Sequence, residues 1–218
     1  MFYKNVLLVV PIWFYGFFSL FSGTQIYNFQ LYSAYNVIFT AVPIIWFTTW
    51  DNEYSRSVLL SRPQLYRIGL ENVYFNNWIF WRWFFYATWQ AILMVLIVFN
   101  TLTSLSPGFF GHQGSMQMAG SFIMTCVVIV SNVKLLLSAF KITVWLNLLV
   151  LLSIAAYFFC FWFITWWSPL SDDFGIFHEL FTNIESYVAL FFFMTCYVLI
   201  DTGMRYAGIE MRVLLETR

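Results

Sequence analysis

The chain has 218 residues, of which 61% are hydrophobic, 23% aromatic and 9% charged, with Lys+Arg and Asp+Glu both at 10. A soluble domain carries about a quarter charged residues, so this composition excludes a charge-covered globular surface and points to an integral membrane protein. Zero net charge without a basic run also excludes a nucleic-acid partner, because nothing is available to neutralise phosphates.

The N-terminal stretch MFYKNVLLVVPIWFYGFFSLF sets a basic residue before an apolar run, as a signal peptide does, but no small-residue cleavage site follows. It reads as the first membrane segment. A spanning helix needs about 20 mostly apolar residues, and the runs that approach this are 6-21, 31-50, 78-99, 118-138, 144-167 and 186-203. They lack the period-2 alternation of a membrane barrel, so the predicted fold is all-α: a bundle of six transmembrane helices. Segment one is short and contains Pro11, and segment two contains Asn36 and Pro43, which predict a kink or local unwinding where proline removes a donor. The polar loop at 51-77 predicts a short amphipathic element.

Basic residues set the orientation. Arg56, Arg62 and Arg67 follow segment two, Lys134 and Lys141 flank the turn between four and five, and Arg205, Arg212 and Arg218 follow segment six. The loops at 22-30, 100-117 and 168-185 hold no Lys or Arg. This pattern predicts cytoplasmic N- and C-termini. Trp46, Trp50, Trp78, Trp81 and Trp145 fall at predicted cytoplasmic edges, with Trp162, Trp166 and Trp167 at the outer one, where indoles favour the interface. Arg82 lies just inside segment three, within snorkelling reach. Cys126, Cys160 and Cys196 sit in apolar runs and read as small hydrophobes.

Polar residues at bilayer depth are costly, about 2.5 to 3.5 kcal/mol for a charge, and so need a reason. Lys4-Asn5 reads either as an anchor at a helix end or as a pair facing a polar route. Asn36 reads as an interhelical hydrogen bond or as part of a substrate site with Pro43, since broken helices mark such sites in transporters. Gln90, Asn132 and Asn147 are most simply packing polars, and Asp201-Thr202-Gly203 reads as the end of the last span. Asp172, Asp173, His178 and Glu179 cluster in the outer loop, in spacings that match no zinc or calcium pattern. No phosphate-cradling GxxxxGK[ST], nucleophile elbow or HExxH is present, so the chain has no catalytic residues or cofactor site of its own.

The opening FYKN, the run YNVIFTAVP ending in TTWDNE, and the loop PQLYRIGLENVYFNNWIFWRW resemble the C-terminal membrane region of type IV P-type ATPases, the phospholipid flippases. NVKLLLSAFKITVWLNLLVLLSI and FGIFHELFTNIESYVAL continue the likeness in order, from Phe2 to about Asp201. The resemblance implies that residues 1-218 form a C-terminal membrane domain, from the latter part of the family's fifth helix through its tenth, and it moves Lys4 and Asn5 from a helix end to mid-membrane. It implies a substrate path through Lys4, Asn5, Asn36 and Pro43. Ile44 departs from the family, which often has a second proline there, and Ile200-Asp201 stands where a Pro-Asp pair is common.

The family's DKTG and DGET motifs do not occur, so ATP and Mg are implied only for catalytic domains absent from this chain. The implied partners are a phospholipid substrate moved toward the cytoplasmic leaflet, membrane lipid, and a two-span accessory β-subunit meeting the outer loops and the last helix. The implied location is the plasma membrane or an endomembrane of a eukaryotic cell. The competing reading is a freestanding six-span protein with a structural or channel-like role and no ATP coupling.

Overall fold

A computed structural model describes residues 2–67, 76–102, 116–167 and 174–216. All regular structure in them is helical: α1 (Phe2–Phe18), α2 (Phe29–Ala34), a π-helical turn (Tyr35–Phe39), α3 (Ala41–Trp50), α4 (Arg56–Ser61), a 3-10 turn (Pro63–Tyr66), α5 (Asn77–Leu102), α6 (Met116–Ser138), α7 (Val144–Trp167), α8 (Ile176–Thr182) and α9 (Ile184–Glu216). Among the described residues five helices are long and apolar enough to cross a membrane: Phe29–Trp50, counted through its π turn, Asn77–Thr101, Met116–Ser138, Val144–Trp167 and Ile184–Met204. The first expected span is the helix Phe2–Phe18, whose 17 residues reach about 26 Å at 1.5 Å per residue, short of a hydrocarbon core about 30 Å thick.

The centre of the bundle is α6, which packs against α1, α3, α5, α7, α8 and α9. In its most apolar stretch 67% of the residues are buried, against 33% or less in the other four spans. Its composition explains why: Ala119, Gly120, Ser121, Thr125, Cys126 and Ser131 are small, and small residues let helix backbones approach where lipid removes any hydrophobic drive for helices to associate. The approach is closest at Gly120, where a β-carbon would lie 1.8 Å from the Ile26 carbonyl oxygen. Outward-facing positions on the neighbours remain apolar, as at Leu151, Phe159 and Trp166 of α7, which suits lipid rather than water.

Two expectations at the bundle ends change. The last helix does not stop at Asp201-Thr202-Gly203 but continues to Glu216. Gly203 keeps a negative φ, so it supplies no left-handed cap. The Thr202 hydroxyl donates back to the carbonyls of Val198 and Leu199 at 2.7 and 3.1 Å. In the polar loop α4 does form, but it buries none of its residues and so has no packed face. Asp51 ties this region down by accepting from the N–H groups of Phe140 and Lys141 at 3.2 and 2.9 Å. That contact puts the end of α3 and the α6–α7 turn at one end of the bundle. Residues 103–115 of the loop at 100-117 and residues 168–173 of the loop at 168-185 lie outside the described residues.

Candidate functional site

The site grows from one proline. In a regular helix the carbonyl of Phe39 would accept from the N–H of residue 43, and Pro43 has none. The chain responds with the π turn Tyr35–Phe39 and a break at Thr40, whose φ of -136° and ψ of -15° leave the helix. The orphaned Phe39 carbonyl accepts instead from the Asn132 side-chain amide of α6 at 3.1 Å. Asn132 also donates to Val128 O, one turn back, at 2.9 Å. Phe39 meets the Tyr157 ring edge-on at 5.3 Å, and Tyr157 shares a 2.8 Å hydrogen bond with Thr125. The break is therefore gripped from α6 and α7.

Lys4 reaches this break. Its ammonium donates to Thr40 Oγ1 at 2.6 Å, and the Thr40 hydroxyl donates in turn to the Tyr35 carbonyl at 2.8 Å. The Tyr35 ring lies 5.5 Å from Lys4 Nζ, while the Tyr35 hydroxyl bonds the Lys4 carbonyl at 3.2 Å and Ser131 at 2.7 Å. Lys4 is 8% exposed, and no carboxylate pairs with it among the described residues. Thr40 lies midway along Phe29–Trp50, so at 1.5 Å per residue the cation sits about 15 Å from either end of that span. A cavity of about 320 Å³ opens beside it, lined among others by Lys4, Phe47, Thr48, Trp83, Ser131 and Lys134. Ile44 also faces this cavity, so the departure from a second proline leaves a flexible apolar side chain at its wall.

Lys4 and Pro43 thus meet at one place, with Pro43 buried beneath the break. Asn5 and Asn36 do not join them: both are exposed, Asn5 one residue round α1 from Lys4 and Asn36 on the outer face of the π turn. Residue-by-residue reading missed the other half of the network. Tyr35 and Thr40 gave no signal, because their role comes from a proline several residues on. Asn132 was legible as a helix-packing amide but not as the partner of this carbonyl.

Lys134 needs a larger correction. It is not a headgroup-facing marker at a turn. It is 7% exposed and its ammonium contacts Asp201 Oδ1 on α9, itself 1% exposed. Asp201 is correspondingly an inward-facing partner rather than a helix-end residue. Two opposite charges inside apolar runs were the available signal, since such residues in lipid pair with one another. The basic residues Arg56, Arg62 and Lys141 remain exposed, as does Arg82. Gln90, read as a packing polar, accepts from the Tyr3 hydroxyl, whereas Asn147 is exposed.

No group of three or more His, Cys, Asp or Glu that could hold a metal exists among the described residues. Of the outer-loop cluster, Asp172 and Asp173 lie outside them, while His178 and Glu179 fall on α8. These residues do not fit a magnesium nucleotide. The arrangement can present one buried cation, hydroxyls and a broken helix to a polar group inside an apolar bundle.

Comparison with known proteins carries the same theme. A family model described as phospholipid-translocating P-type ATPase C-terminal matches residues 1–212. Among similar proteins, Probable phospholipid-transporting ATPase 12 of Arabidopsis thaliana is 29% identical over 97% of this chain and 18% of its own length. Phospholipid-transporting ATPase 10 of the same plant is 27% identical over 97% of the chain and 18% of its length. Phospholipid-transporting ATPase VD of Homo sapiens is 27% identical over 72% of the chain and 10% of its length. The chain spans less than a fifth of the length of these relatives. It belongs to the phospholipid-translocating P-type ATPase family and corresponds to the C-terminal membrane region of those proteins.

Proposed function

We propose that this chain forms the C-terminal membrane part of an ATP-driven flippase that moves phospholipid toward the cytoplasmic leaflet. The observation that supports this most is the Lys4 ammonium held at a proline-broken helix halfway along a span. A buried cation without a carboxylate partner is expensive in lipid, and a phosphodiester passing beside it would offset that cost. Lys4 supplies charge and a hydrogen-bond donor to the headgroup, while Thr40 and Tyr35 fix the ammonium. Pro43 keeps the helix from closing over the route. Asn5 and Asn36 face outward as amides on apolar helices, and in the working protein they bond headgroup atoms or polar groups supplied from outside this chain.

In this reading α1 supplies the outer part of a sixth span, with Lys4 at mid-membrane, and the C-terminus is cytoplasmic. Exposed Arg56, Arg62 and Lys141 support that orientation, near the end of the bundle joined by Asp51. ATP and Mg act on domains outside this sequence, and a two-span β-subunit contacts the outer loops and α9. The protein resides in the plasma membrane or an endomembrane.

The intact ATPase carrying this segment provides the test. In reconstituted vesicles, Lys4→Ala is expected to lower lipid-stimulated ATP hydrolysis and labelled-lipid uptake about tenfold, the equivalent of one charge-assisted hydrogen bond, with its membrane level unchanged. Unaltered uptake in a correctly inserted variant removes Lys4 from the path. A transcript lacking DKTG and DGET upstream of this segment would refute the ATP-driven reading altogether.

A further inference from the structure

The turn of α1 that carries Lys4 is held by a second set of residues. The Tyr3 hydroxyl donates to Gln90 Oε1 on α5. The Tyr3 ring stacks on Tyr86 at 6.1 Å and meets Trp83 edge-on at 6.0 Å. Lys134 of α6 places its ammonium over all three rings, 5.6 Å from Tyr3, 4.9 Å from Trp83 and 4.9 Å from Tyr86. The charge is matched by Asp201 of α9, and Asp201 Oδ1 also accepts from the Tyr86 hydroxyl at 2.9 Å. Four helices, α1, α5, α6 and α9, meet at this cluster.

A buried ion pair is weak evidence for stability, because apolar residues of similar volume do as well. What the pair adds is direction: it fixes where the ammonium stands, and cation–π attraction then fixes the rings around it. Tyr3 precedes Lys4 on the same helical turn, so displacement of the Tyr3 ring carries the Lys4 backbone with it. Lys4 must meet Thr40 and Tyr35 within hydrogen-bond distance, which leaves little slack.

We propose that Lys134 and Asp201 are positioning residues which, through the Tyr3–Trp83–Tyr86 cage, hold the Lys4 ammonium at the break in the Phe29–Trp50 span. The consequence for transport rests on the reading of Lys4 as a lipid-path residue; the geometric part does not.

The test uses the intact ATPase carrying this segment in membrane vesicles, with its other cysteines, Cys126, Cys160 and Cys196 included, replaced by Ala. A cysteine introduced by Lys4→Cys reports through its rate of modification by a water-soluble methanethiosulfonate, and Ser153→Cys, buried on α7 and outside the cage, serves as control. Lys134→Met is expected to raise the rate at position 4 about tenfold and leave position 153 unchanged, because the uncompensated Asp201 no longer orders the cage. Tyr86→Phe, which deletes one hydrogen bond, is expected to raise it about threefold. Exchanging the charges by Lys134→Asp with Asp201→Lys should bring the rate back to within about threefold of the parent.

An unchanged rate at position 4 in Lys134→Met and Tyr86→Phe overturns the proposal. So does an equal rise at positions 4 and 153, which would mark general loosening. In the intact ATPase with native Lys4, Lys134→Met should raise the KM for lipid while kcat changes less. An altered thiol rate with an unchanged lipid KM overturns the link to transport. A parent protein whose ATP hydrolysis ignores lipid overturns the function reading and leaves the thiol result to stand by itself.

Discussion

The Asn132 side-chain amide on α6 donates to the Phe39 carbonyl at 3.1 Å, the carbonyl that Pro43 deprives of its helical donor. A defect in one helix is therefore repaired by a residue of another, and the repair lets the break persist inside an apolar bundle.

The pairing predicts a coupled energetic effect. Asn132→Ala should lower stability in detergent by about 1 kcal/mol, the scale of an interhelical hydrogen bond in a membrane protein. In a Pro43→Ala background residue 43 regains its N–H and can serve Phe39, so the same substitution should cost much less. Denaturation of the four proteins of this cycle measures the difference; equal losses in both backgrounds would mean that the Phe39 carbonyl is not what Asn132 stabilises.

Two glycines should behave oppositely. Gly120→Ala drives a methyl group into the Ile26 carbonyl, 1.8 Å away, and is expected to cost about 1–3 kcal/mol, as overpacking does. Gly203 lies in helical backbone with nothing within 4 Å of its β-position, so Gly203→Ala should be neutral or stabilise by up to about 1 kcal/mol. Thermal unfolding in detergent followed by size exclusion ranks the two, and a destabilised Gly203→Ala would mean that α9 is not helical there.

Thiol labelling should separate the three cysteines. Cys126 is fully buried, whereas Cys160 and Cys196 are partly exposed. A membrane-permeant maleimide should modify Cys160 and Cys196 in the folded protein and reach Cys126 only on unfolding, since access as well as thiolate content governs the reaction. Mass spectrometry of peptides from labelled vesicles tests the order, and early modification of Cys126 would contradict the central placement of α6.

Thr40 offers a test of the site that leaves every charge in place. Thr40→Val keeps the volume but removes both the acceptor for Lys4 and the donor to Tyr35. In the intact ATPase it should reduce lipid-stimulated turnover by up to about tenfold, through loss of the charge-assisted bond, while Thr40→Ser should retain most of it. Equal activity in the two variants would separate the Thr40 hydroxyl from Lys4 function.

Some of this was legible in the residues themselves. Long apolar runs in a chain with 9% charge determine helices in lipid, because each span must satisfy its own backbone groups. Pro43 inside such a run determines a break in the second span, because a missing N–H cannot be supplied locally. The motif order around FYKN and YNVIFTAVP carried the family; by themselves Lys4 read either as a helix-end anchor or as a residue facing a polar route, and Pro43 either as a tolerated kink or as part of a site.

Pairing was not legible. That Asn132 answers Phe39, that Lys4 lands on Thr40, and that Lys134 turns inward to Asp201 depend on which faces of six elements meet around α6. The same chain periodicity permits several such arrangements, so a lysine four residues before the end of a helix reads equally well as a headgroup anchor or a buried cation. Sequence determined that this protein lies in a membrane and where one of its helices must fail. Tertiary structure alone decided which charges are compensated, because in a low-dielectric bundle the fate of a charge is set by the partner within about 4 Å, and that partner is 67 residues away along the chain.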